Sequence, residues 1–345
     1  MKAAILQERG RNGLGVRNVP MPVRRPGEVL LSVHAAALNR VDLYMRDNGA
    51  GITHSLPQTL GVEAAGVVVE ADAGGGLEIG IQPGQKAVVY ANAFCGKCRY
   101  CLAGDQPLCL HAHIMGEHRD GGFAEYVAMP ARCVLPLPDH VDLVEAGALL
   151  AAYLTAWRML FGKRALRPGE TVLIAGVGGG VAVACLQLAL HAGARVLVTS
   201  SSDDKLARAQ AMGASGGVNY RREKVAKRVL EMIGGEGVDM VIDSSGAASW
   251  DDSLRSLRRG GRLVTCGATT GSNPPADLQR IFIRQLEVYG STGGSVAECH
   301  QLLALFASGA IRPVIDRRFV LDDIGAAFDQ LEHGNQFGKV VVTMA

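Results

Sequence analysis

The chain has 345 residues, of which 48% are hydrophobic, 20% charged and 5% aromatic. This length favours two domains, and the composition supports a large aliphatic core rather than a disordered chain or a stacking surface for single-stranded nucleic acid. The net charge of +2 leaves no strong field for nucleic acid or an anionic membrane, so we expect neither as a partner. The first residues lack the apolar run of a secretory signal. We therefore expect a cytoplasmic protein, whose eight cysteines are thiols or metal ligands rather than disulfides.

The chain changes its pattern near residue 142. Before that point, short β-like runs at 29–36, 61–71 and 85–91 are separated by Gly and Pro and predict a β-rich domain over 1–148. From about residue 142 a helical stretch follows, which extends to residue 162. Four Val/Ile/Leu-rich strands then alternate with helices. The strands are predicted at 171–176, 195–200, 238–246 and 261–267, and the helices at 181–193, 204–214 and 224–235. This alternation predicts an α/β fold with a doubly wound parallel sheet over 149–293, after which 294–345 return to complete the first domain.

Four cysteines lie close together in a Gly/Pro-containing loop. Cys95, Cys98, Cys101 and Cys109 form a C-x2-C-x2-C-x7-C array. Four thiolates fill a tetrahedral Zn²⁺ shell, so the array predicts one structural zinc per chain with no open position for substrate. Free thiols and an iron–sulfur cluster are the alternatives, but ferredoxin spacing would place the fourth cysteine closer and follow it with Pro.

A glycine-rich turn follows the predicted strand at 171–176. Gly176, Gly178, Gly179 and Gly180 lead directly into the helix at 181–193. Glycines at such a strand-to-helix turn let the backbone approach a pyrophosphate, which the helix N-terminus attracts. The alternative is a purely structural tight turn. In this context the turn predicts a dinucleotide cofactor.

The end of the second strand of this sheet indicates which dinucleotide binds. An NAD site normally places an Asp or Glu there for the ribose 2′-OH. This chain has Thr199, Ser200, Ser201 and Ser202, with Lys205 just beyond. Hydroxyls and an ammonium suit a 2′-phosphate, so the sequence favours NADP(H). The alternative is NAD(H), with Asp203 or Asp204 turned toward the ribose.

With these features together, the chain resembles the zinc-containing alcohol dehydrogenase and quinone oxidoreductase superfamily, the medium-chain dehydrogenases, over essentially its whole length. The other marks of the resemblance are the motifs Leu60-Gly61-Val62-Glu63, Gly121-Gly122-Phe123-Ala124-Glu125-Tyr126, Thr155-Ala156-Trp157 and Cys266-Gly267-Ala268-Thr269-Thr270-Gly271. The resemblance implies a GroES-like catalytic domain with the zinc lobe, a Rossmann domain, and an active site in the cleft between them.

The chain departs from the alcohol-oxidising members where they hold a catalytic zinc. At the three matching positions it has Asn39, Val62 and Ala151, none of which is a good Zn²⁺ ligand. Only Glu63 remains. The stretch from Leu38 to Tyr44 instead resembles the Asn-x-x-Asp-x-Tyr loop of the quinone oxidoreductase branch.

The resemblance also implies the roles of individual residues. Asn39 and Tyr44 would line the substrate pocket as amide and phenol donors, although Tyr44 has the alternative of a simple loop phenol, with water or the cofactor ribose delivering the proton. The expected cofactor-binding residues are Thr155, Gly178, Gly179, Gly180, Val181, Ser200, Ser201, Lys205, Tyr220, Cys266, Gly267 and Ala268. Of these, Ser200, Ser201, Lys205 and Tyr220 are expected around the 2′-phosphate.

Three functions are compatible with this pattern. The first is an NADPH-dependent reductase of quinones or activated C=C bonds, in which neutral donors stabilise an enolate without a metal. The second is an alcohol or aldehyde dehydrogenase with an unrecognised metal site at Glu63 and a histidine. The third is a non-enzymatic NADPH-binding protein. The apolar run 286–290 predicts a final strand whose edge must be covered, and the resemblance adds pairing there, so we expect a homodimer or a dimer of dimers.

Overall fold

The structure, a computed structural model, describes residues 1–49, 55–72 and 80–344. The chain divides into two compact units, Met1–Ala152 with Ser295–Ala345, and Tyr153–Gly294. In the described ranges, no helix has both the length and the apolar character that a membrane span requires.

The bounds of the elements in the described residues are as follows. The strands are β1 (Lys2–Leu6), β2 (Leu14–Asn18), β3 (Glu28–Ala37), β4 (Gln58–Thr59), β5 (Ala65–Glu70), β6 (Lys86–Val89), β7 (Asn92–Ala93), β8 (His113–Ile114), β9 (Tyr126–Pro130), β10 (Val134–Pro136), β11 (Thr171–Ala175), β12 (Arg195–Ser200), β13 (Gly216–Asn219), β14 (Val238–Asp243), β15 (Leu257–Thr265), β16 (Glu287–Gly290), β17 (Ile315–Val320) and β18 (Lys339–Thr343). The helices are α1 (Arg40–Asp47), α2 (Arg99–Leu102), α3 (Leu143–Ala146), α4 (Thr155–Phe161), α5 (Gly180–His191), α6 (Asp203–Ala211), α7 (Val225–Ile233), α8 (Trp250–Ser256), α9 (Leu278–Arg284), α10 (Val296–Ala307) and α11 (Ile324–His333).

The first unit is β-rich. Its main sheet has the order β10-β6-β5-β3-β18-β17, with β9 also paired to β3, and a smaller sheet has the order β2-β1-β4. The C-terminal strand β18 pairs antiparallel with β3 and parallel with β17. Small buried residues such as Ala35 and Ala37 of β3 pack there against Val341 of β18 and Val144 of α3. The C-terminal segment therefore completes the core that the N-terminal segment begins.

The second unit is a six-stranded parallel sheet in the order β13-β12-β11-β14-β15-β16. Its central strands are apolar on both faces, and Val172, Leu173 and Ile174 of β11 are at most 1% exposed, as expected for a sheet covered by helices on both sides. The strand order reverses between β11 and β14. In such sheets ligands bind outside the carboxyl ends of the strands at this reversal. The β-rich unit and the doubly wound unit confirm the predicted fold class.

The stretch predicted to be helical from about residue 142 to 162 is helical, but it is not one regular α-helix. The structure has the short helix α3, a π-helical turn at Leu150–Leu154 and then α4. The backbone N–H of Ala151 donates to a carboxylate oxygen of Glu63 at 2.8 Å. A π-helical turn of this kind often marks a functional site, and the side-chain acceptor explains why regular helix does not continue here.

Three elements of the second unit were not predicted. β13 has the sequence Gly-Gly-Val-Asn, and α8 and α9 are single seven-residue helices. β13 lacks a Val/Ile run, and the two helices are too short to show a repeated apolar face. Their structure depends on packing against the sheet rather than on a local signal.

Candidate functional site

The structure brings the four clustered cysteines together. Their Sγ atoms all lie within 4.8 Å of one another. The Sγ of Cys101 is 3.9 Å from that of Cys95 and 3.5 Å from that of Cys98, and the Sγ atoms of Cys98 and Cys109 are 3.9 Å apart. Four ligands at normal Zn–S distances form a tetrahedron with edges of about 3.8 Å. The cluster therefore fits a structural zinc ion.

Main-chain groups around the cluster favour thiolates. The N–H of Cys95 donates to Cys109 Sγ at 3.3 Å, and the N–H of Cys98 donates to Cys95 Sγ at 3.3 Å. Hydrogen bonds from the main chain of Cys101 and Leu110 lower the pKa of Cys98 to about 6. Burial raises the pKa of Cys101 to about 12, so a zinc ion, which binds deprotonated thiols, has to displace the proton of Cys101.

The glycine turn lies between β11 and α5, as the sequence predicts. Gly178 has a φ of +134°, a region that other residues rarely adopt, and a Cβ placed there would sit 2.8 Å from the Cδ and 3.1 Å from the Nζ of Lys205. Gly179 is the N-cap of α5, and Gly180 and Val181 are its first residues. The turn thus combines a close backbone approach, a helix N-terminus and a lysine side chain, which together suit a phosphate group.

A cavity of about 360 Å³ lies beside this turn at the carboxyl ends of the strands. Its lining residues are Leu173, Ala175, Gly176, Thr199, Tyr220, Val225, Ser245, Ala248, Ser249, Asp252, Ser253 and Thr270. Its wall is organised by the carboxylate of Asp243, which is fully buried at the end of β14. Oδ1 accepts the N–H groups of Ser245 and Gly246, and Oδ2 accepts the hydroxyls of Ser249 and Ser253. The sequence analysis did not single out Asp243, although its position after a buried strand is a usable signal.

The end of β12 presents hydroxyl groups. Thr199 Oγ1 accepts the N–H of Gly176 at 2.9 Å, and the buried Ser200 Oγ accepts the N–H of Ser202 at 3.2 Å. Asp203 is committed elsewhere, since its Oδ1 accepts the amide N–H of Asn219 at 2.6 Å and its Oδ2 lies 2.8 Å from Arg222 Nη1. Both carboxylate oxygens of Asp203 therefore already have partners.

The remaining predicted cofactor residues are placed as follows. Tyr220 is about half exposed at the cavity, and Ser201 follows directly after β12. Cys266 follows β15, and its N–H donates to Asp243 O at 3.2 Å. Burial raises the pKa of the Cys266 thiol to about 12, so this thiol stays neutral. Thr155 is the first residue of α4. Ala268 packs closely against Gly246, since a Cβ on Gly246 would lie 2.9 Å from the Cα of Ala268.

A polar cluster lies inside the first unit, around Asn39 and Glu63. The Asn39 amide group donates to Ala37 O at 3.0 Å and to Glu63 Oε2 at 3.2 Å. Glu63 is fully buried, and its Oε1 accepts the N–H of Ala151 at 2.8 Å. The two N–H bonds of the predicted donor Asn39 are thus directed at internal acceptors.

Lys339 supplies the positive charge of this cluster. It is 2% exposed, and its Nζ lies 2.9 Å from Glu63 Oε2, 2.5 Å from Asn39 Oδ1 and 3.2 Å from Leu38 O. Its three N–H bonds match these three acceptors. Lys339 was not among the residues predicted from the sequence, although a lysine at the start of a strongly apolar strand is a usable signal.

Two further buried carboxyl groups belong to the same unit. Asp42 is fully buried, its Oδ2 accepts the N–H of Asn39 at 2.7 Å, and its Oδ1 has no hydrogen-bond partner in the described part of the chain. Burial raises the pKa of Asp42 to about 7, with smaller upward contributions from Glu117 and Glu63. Burial also raises the pKa of Glu117 to about 7. Both groups can hold a proton near neutral pH.

Tyr44 lies on the same helix as Asp42. Its side chain is partly buried, and among the residues that the structure describes its hydroxyl makes no hydrogen bond. Burial raises the pKa of this phenol, which keeps it protonated at neutral pH. Within the described ranges, Tyr44 therefore has an uncommitted donor, whereas Asn39 does not.

Comparison with known proteins places these features in a family. Family models described as "Zinc-binding dehydrogenase" and "Alcohol dehydrogenase GroES-like domain" match residues 180–308 and 25–139. An alcohol dehydrogenase of Geobacillus stearothermophilus is 31% identical over 100% of this chain and 99% of its own. An L-threonine 3-dehydrogenase of Legionella pneumophila is 30% identical over 98% of this chain and 99% of its own.

Solved structures agree with the curated relatives. A structure described as an NAD-dependent alcohol dehydrogenase has a TM-score of 0.95 and 37% identity, covering 100% of both chains. The structure of AibC has a TM-score of 0.92 and 31% identity, covering 100% of this chain and 96% of its own. The chain is an oxidoreductase that belongs to the zinc-containing alcohol dehydrogenase superfamily, the medium-chain dehydrogenases.

Proposed function

We propose that this oxidoreductase uses NADPH to reduce quinones or C=C bonds conjugated to a carbonyl, such as enones and enoyl thioesters, without a catalytic zinc ion. The observation that carries the proposal is the composition of the cluster around Glu63. Asn39, Val62 and Ala151 occupy the three positions where the resemblance expects zinc ligands. An amide, an isopropyl group and a methyl group do not replace thiolate or imidazole at Zn²⁺.

The partners of Glu63 support the same conclusion. Its carboxylate accepts hydrogen bonds from Ala151 N and Asn39 Nδ2 and forms an ion pair with Lys339. The charge of this carboxylate is therefore balanced by the protein. Within the described ranges, the four-cysteine cluster is the single group of three or more His, Cys, Asp or Glu side chains that converge as metal ligands. These residues do not fit a catalytic zinc.

Reduction of a conjugated C=C bond requires less stabilisation of negative charge from the protein than alcohol oxidation does. NADPH supplies the hydride to the β carbon when it is bound. Negative charge then spreads to the carbonyl oxygen, where neutral hydrogen-bond donors stabilise it. Tyr44 is our proposed donor, because its hydroxyl is protonated and has no partner in the described residues. Asn39 would position the loop, and would donate to substrate only after releasing Ala37 O or Glu63.

The cofactor is proposed to be NADPH rather than NADH. The two oxygens of Asp203 already have Asn219 and Arg222 as partners, so a ribose 2′-OH would compete with these partners for this carboxylate. Lys205 lies over Gly178 at the phosphate turn and supplies positive charge. The 37%-identical structure is described as an NAD-dependent alcohol dehydrogenase, which favours the opposite choice, and the binding experiment distinguishes the two cofactors.

Binding of both cofactors to the wild type and to Lys205→Ala tests the NADPH preference. We expect wild type to bind NADPH at least about tenfold more tightly than NADH, since a charge-assisted phosphate contact contributes roughly 1.5–3 kcal/mol. Lys205→Ala should weaken NADPH much more than NADH. Equal or tighter binding of NADH by the wild type would refute the preference.

The reaction is tested by NADPH oxidation with quinones, enones, enoyl thioesters and aldehydes, and by NADP⁺ reduction with primary and secondary alcohols. We expect turnover with an activated C=C bond or a quinone and almost none with simple alcohols. Tyr44→Phe should lower turnover roughly ten- to a thousandfold and change cofactor affinity much less. Asn39→Ala should also lower turnover, through the position of the loop rather than through a lost donor.

The second candidate is a zinc-type alcohol dehydrogenase, which the names of the curated relatives favour. This candidate requires a second metal ion, bound with Glu63 and a histidine. Elemental analysis separates the two, since the reductase predicts one zinc per chain and the dehydrogenase predicts two. Efficient zinc-dependent alcohol oxidation, with no reduction of enones or quinones, would reverse our assignment.

A further inference from the structure

The second unit has a groove outside the cofactor cavity. It lies between α7, α8 and α9 and has a volume of about 710 Å³. Four cationic side chains line it, Lys227, Arg255, Arg280 and Arg284, together with one carboxylate, Glu231. Leu230 adds apolar surface. The groove thus combines an excess of cationic side chains with a lining whose accessible surface is mainly apolar.

Arg284 has no carboxylate partner in the described part of the chain. Its Nη1 donates to the main-chain oxygen of Leu257 at 3.2 Å. Burial lowers the pKa of Arg284, and the like charges of Arg280 and Arg259 lower it further. Arg259 also donates to a main-chain oxygen, that of Ile283, at 3.2 Å. Two neighbouring guanidinium groups are therefore held by neutral acceptors.

The acidic groups nearby already have cationic partners. Glu231 lies 3.1 Å from Arg228 and 4.0 Å from Lys227. Asp251 pairs with Arg255 at 2.7 Å, and Asp277 pairs with Arg280 at 3.2 Å. These carboxylates cannot also neutralise Arg284 and Arg259. Positive charge is left over at the groove.

The arrangement of the arginines suits a phosphate. Arg280 and Arg284 are four residues apart on α9, so they lie on one face of the helix, where Asp277 pairs with Arg280 and Arg284 has only a neutral main-chain acceptor in the described residues. A guanidinium group presents a planar fork of donors that matches phosphate oxygens. Asp277 and Gln285 flank α9 and have φ values of +43° and +53°, which sets the ends of this short helix.

We propose that this groove is a second nucleotide site, which binds the diphosphate of a nucleoside diphosphate or of coenzyme A through Arg280 and Arg284. The proposal goes beyond the reductase function and does not depend on it. Leu230 would contact the non-phosphate part of the ligand.

The groove and the cofactor cavity are separate but share a wall. Ala226 lines the groove and Asp252 lines the cavity, and the N–H of Ala226 donates to Asp252 Oδ1 at 3.1 Å. A diphosphate added to the free enzyme could therefore enter either site. The test must be made with the cofactor cavity already filled.

The experiment is isothermal titration with pyrophosphate, ADP and coenzyme A, in about 150 mM KCl, which screens non-specific attraction. The enzyme is first saturated with whichever of NADPH and NADH it binds more tightly. We expect ADP or coenzyme A to bind more tightly than pyrophosphate. Arg284→Gln and Arg280→Gln should each weaken binding at least about tenfold. Arg317→Gln removes an exposed charge from β17 in the other unit and should change nothing. Tighter binding of coenzyme A than of ADP would identify a thioester carrier as the source, and the reverse would identify a free nucleotide.

Several outcomes would overturn the proposal. They are no measurable binding, equal affinity for all three ligands, and equal weakening by Arg317→Gln. If Arg284→Gln does not fold, Arg284→Lys provides the test, because it keeps the positive charge but removes the planar set of guanidinium donors. Wild-type affinity in Arg284→Lys would contradict recognition by the guanidinium group.

Discussion

The ammonium of Lys339 lies 2.9 Å from the carboxylate of Glu63, and neither side chain is more than 2% exposed. Both charges are therefore buried, and each is neutralised mainly by the other. Removal of one partner alone leaves an unpaired buried charge, which is far more costly than removal of both. This pair is thus expected to stabilise the β-rich unit as a coupled group.

Lys339→Met should lower the free energy of unfolding by about 3–5 kcal/mol. The double variant Glu63→Gln/Lys339→Met should lose less than the sum of the two single variants. Denaturant unfolding followed by circular dichroism measures both effects. Lys2→Met is the matched control, because Lys2 pairs with Asp322 at 2.7 Å but both side chains are about half exposed; its effect should stay below about 1 kcal/mol. Additive single effects would show that the pair is not coupled.

Asp42 should make stability depend on pH. Burial raises its pKa to about 7 from an ordinary value of 3.8, so the folded protein binds this proton more tightly than the unfolded chain does. The stabilisation is complete below the ordinary pKa and is lost as the pH rises through about 7. Asp42→Asn removes this loss, because the amide does not ionise, and its oxygen can still accept the N–H of Asn39.

Relative to wild type, Asp42→Asn should therefore gain stability between pH 5 and pH 8, by about 1 kcal/mol or more. Thermal unfolding at several pH values measures the gain. The same change at the exposed Asp139 should leave the pH dependence as it is in wild type. A constant difference between Asp42→Asn and wild type across this range would mean that Asp42 does not titrate there.

Features with a local cause were predictable from the sequence. The strand at 195–200 has the predicted bounds, because a continuous apolar run is buried on both faces. The four cysteines converge because their spacing within one loop allows it. The glycine turn lies between strand and helix, since its flanking patterns define both elements.

Features that depend on distant residues were not predictable. Lys339 reaches Asn39 across a separation of 300 residues, and a single sequence carries no signal for such a contact. The π-helical turn at Leu150–Leu154 depends in the same way on Glu63 accepting the N–H of Ala151. Tertiary structure also determines that both amide N–H bonds of Asn39 are already used. For this reason we propose Tyr44 rather than Asn39 as the hydrogen-bond donor to substrate.

The zinc lobe should contain about one zinc ion per purified chain. Cys98→Ser removes one of four thiolates and should reduce zinc content to near zero after dialysis, with a lower melting temperature, because the metal ion holds the loop together. Cys133→Ser is the control, since Cys133 is buried away from the cluster and its loss should leave the zinc content unchanged. Zinc-free wild-type protein, or an unchanged zinc content in Cys98→Ser, would show that the cluster is not the metal site.

The last prediction concerns assembly through β16, which is an edge strand of the six-stranded sheet. It carries Val288, which is 40% exposed, and Phe282 on the preceding helix is 67% exposed. An uncovered apolar edge invites pairing with another chain. The edge strand β17 of the other unit instead presents the exposed Arg317 and Arg318, charges that discourage such pairing.

We therefore expect a homodimer, or a dimer of dimers, in which β16 of two chains meet. Light scattering at micromolar concentration should give at least twice the mass of one chain. Val288→Asp places a charge at this edge and should shift the protein toward monomer by about tenfold or more in dissociation constant, since burying an unpaired carboxylate in an interface is costly. Val320→Asp makes the same change at an exposed valine of β17 and should leave the mass unchanged. A monomeric wild type, or equal dissociation by both variants, would exclude β16 as the interface.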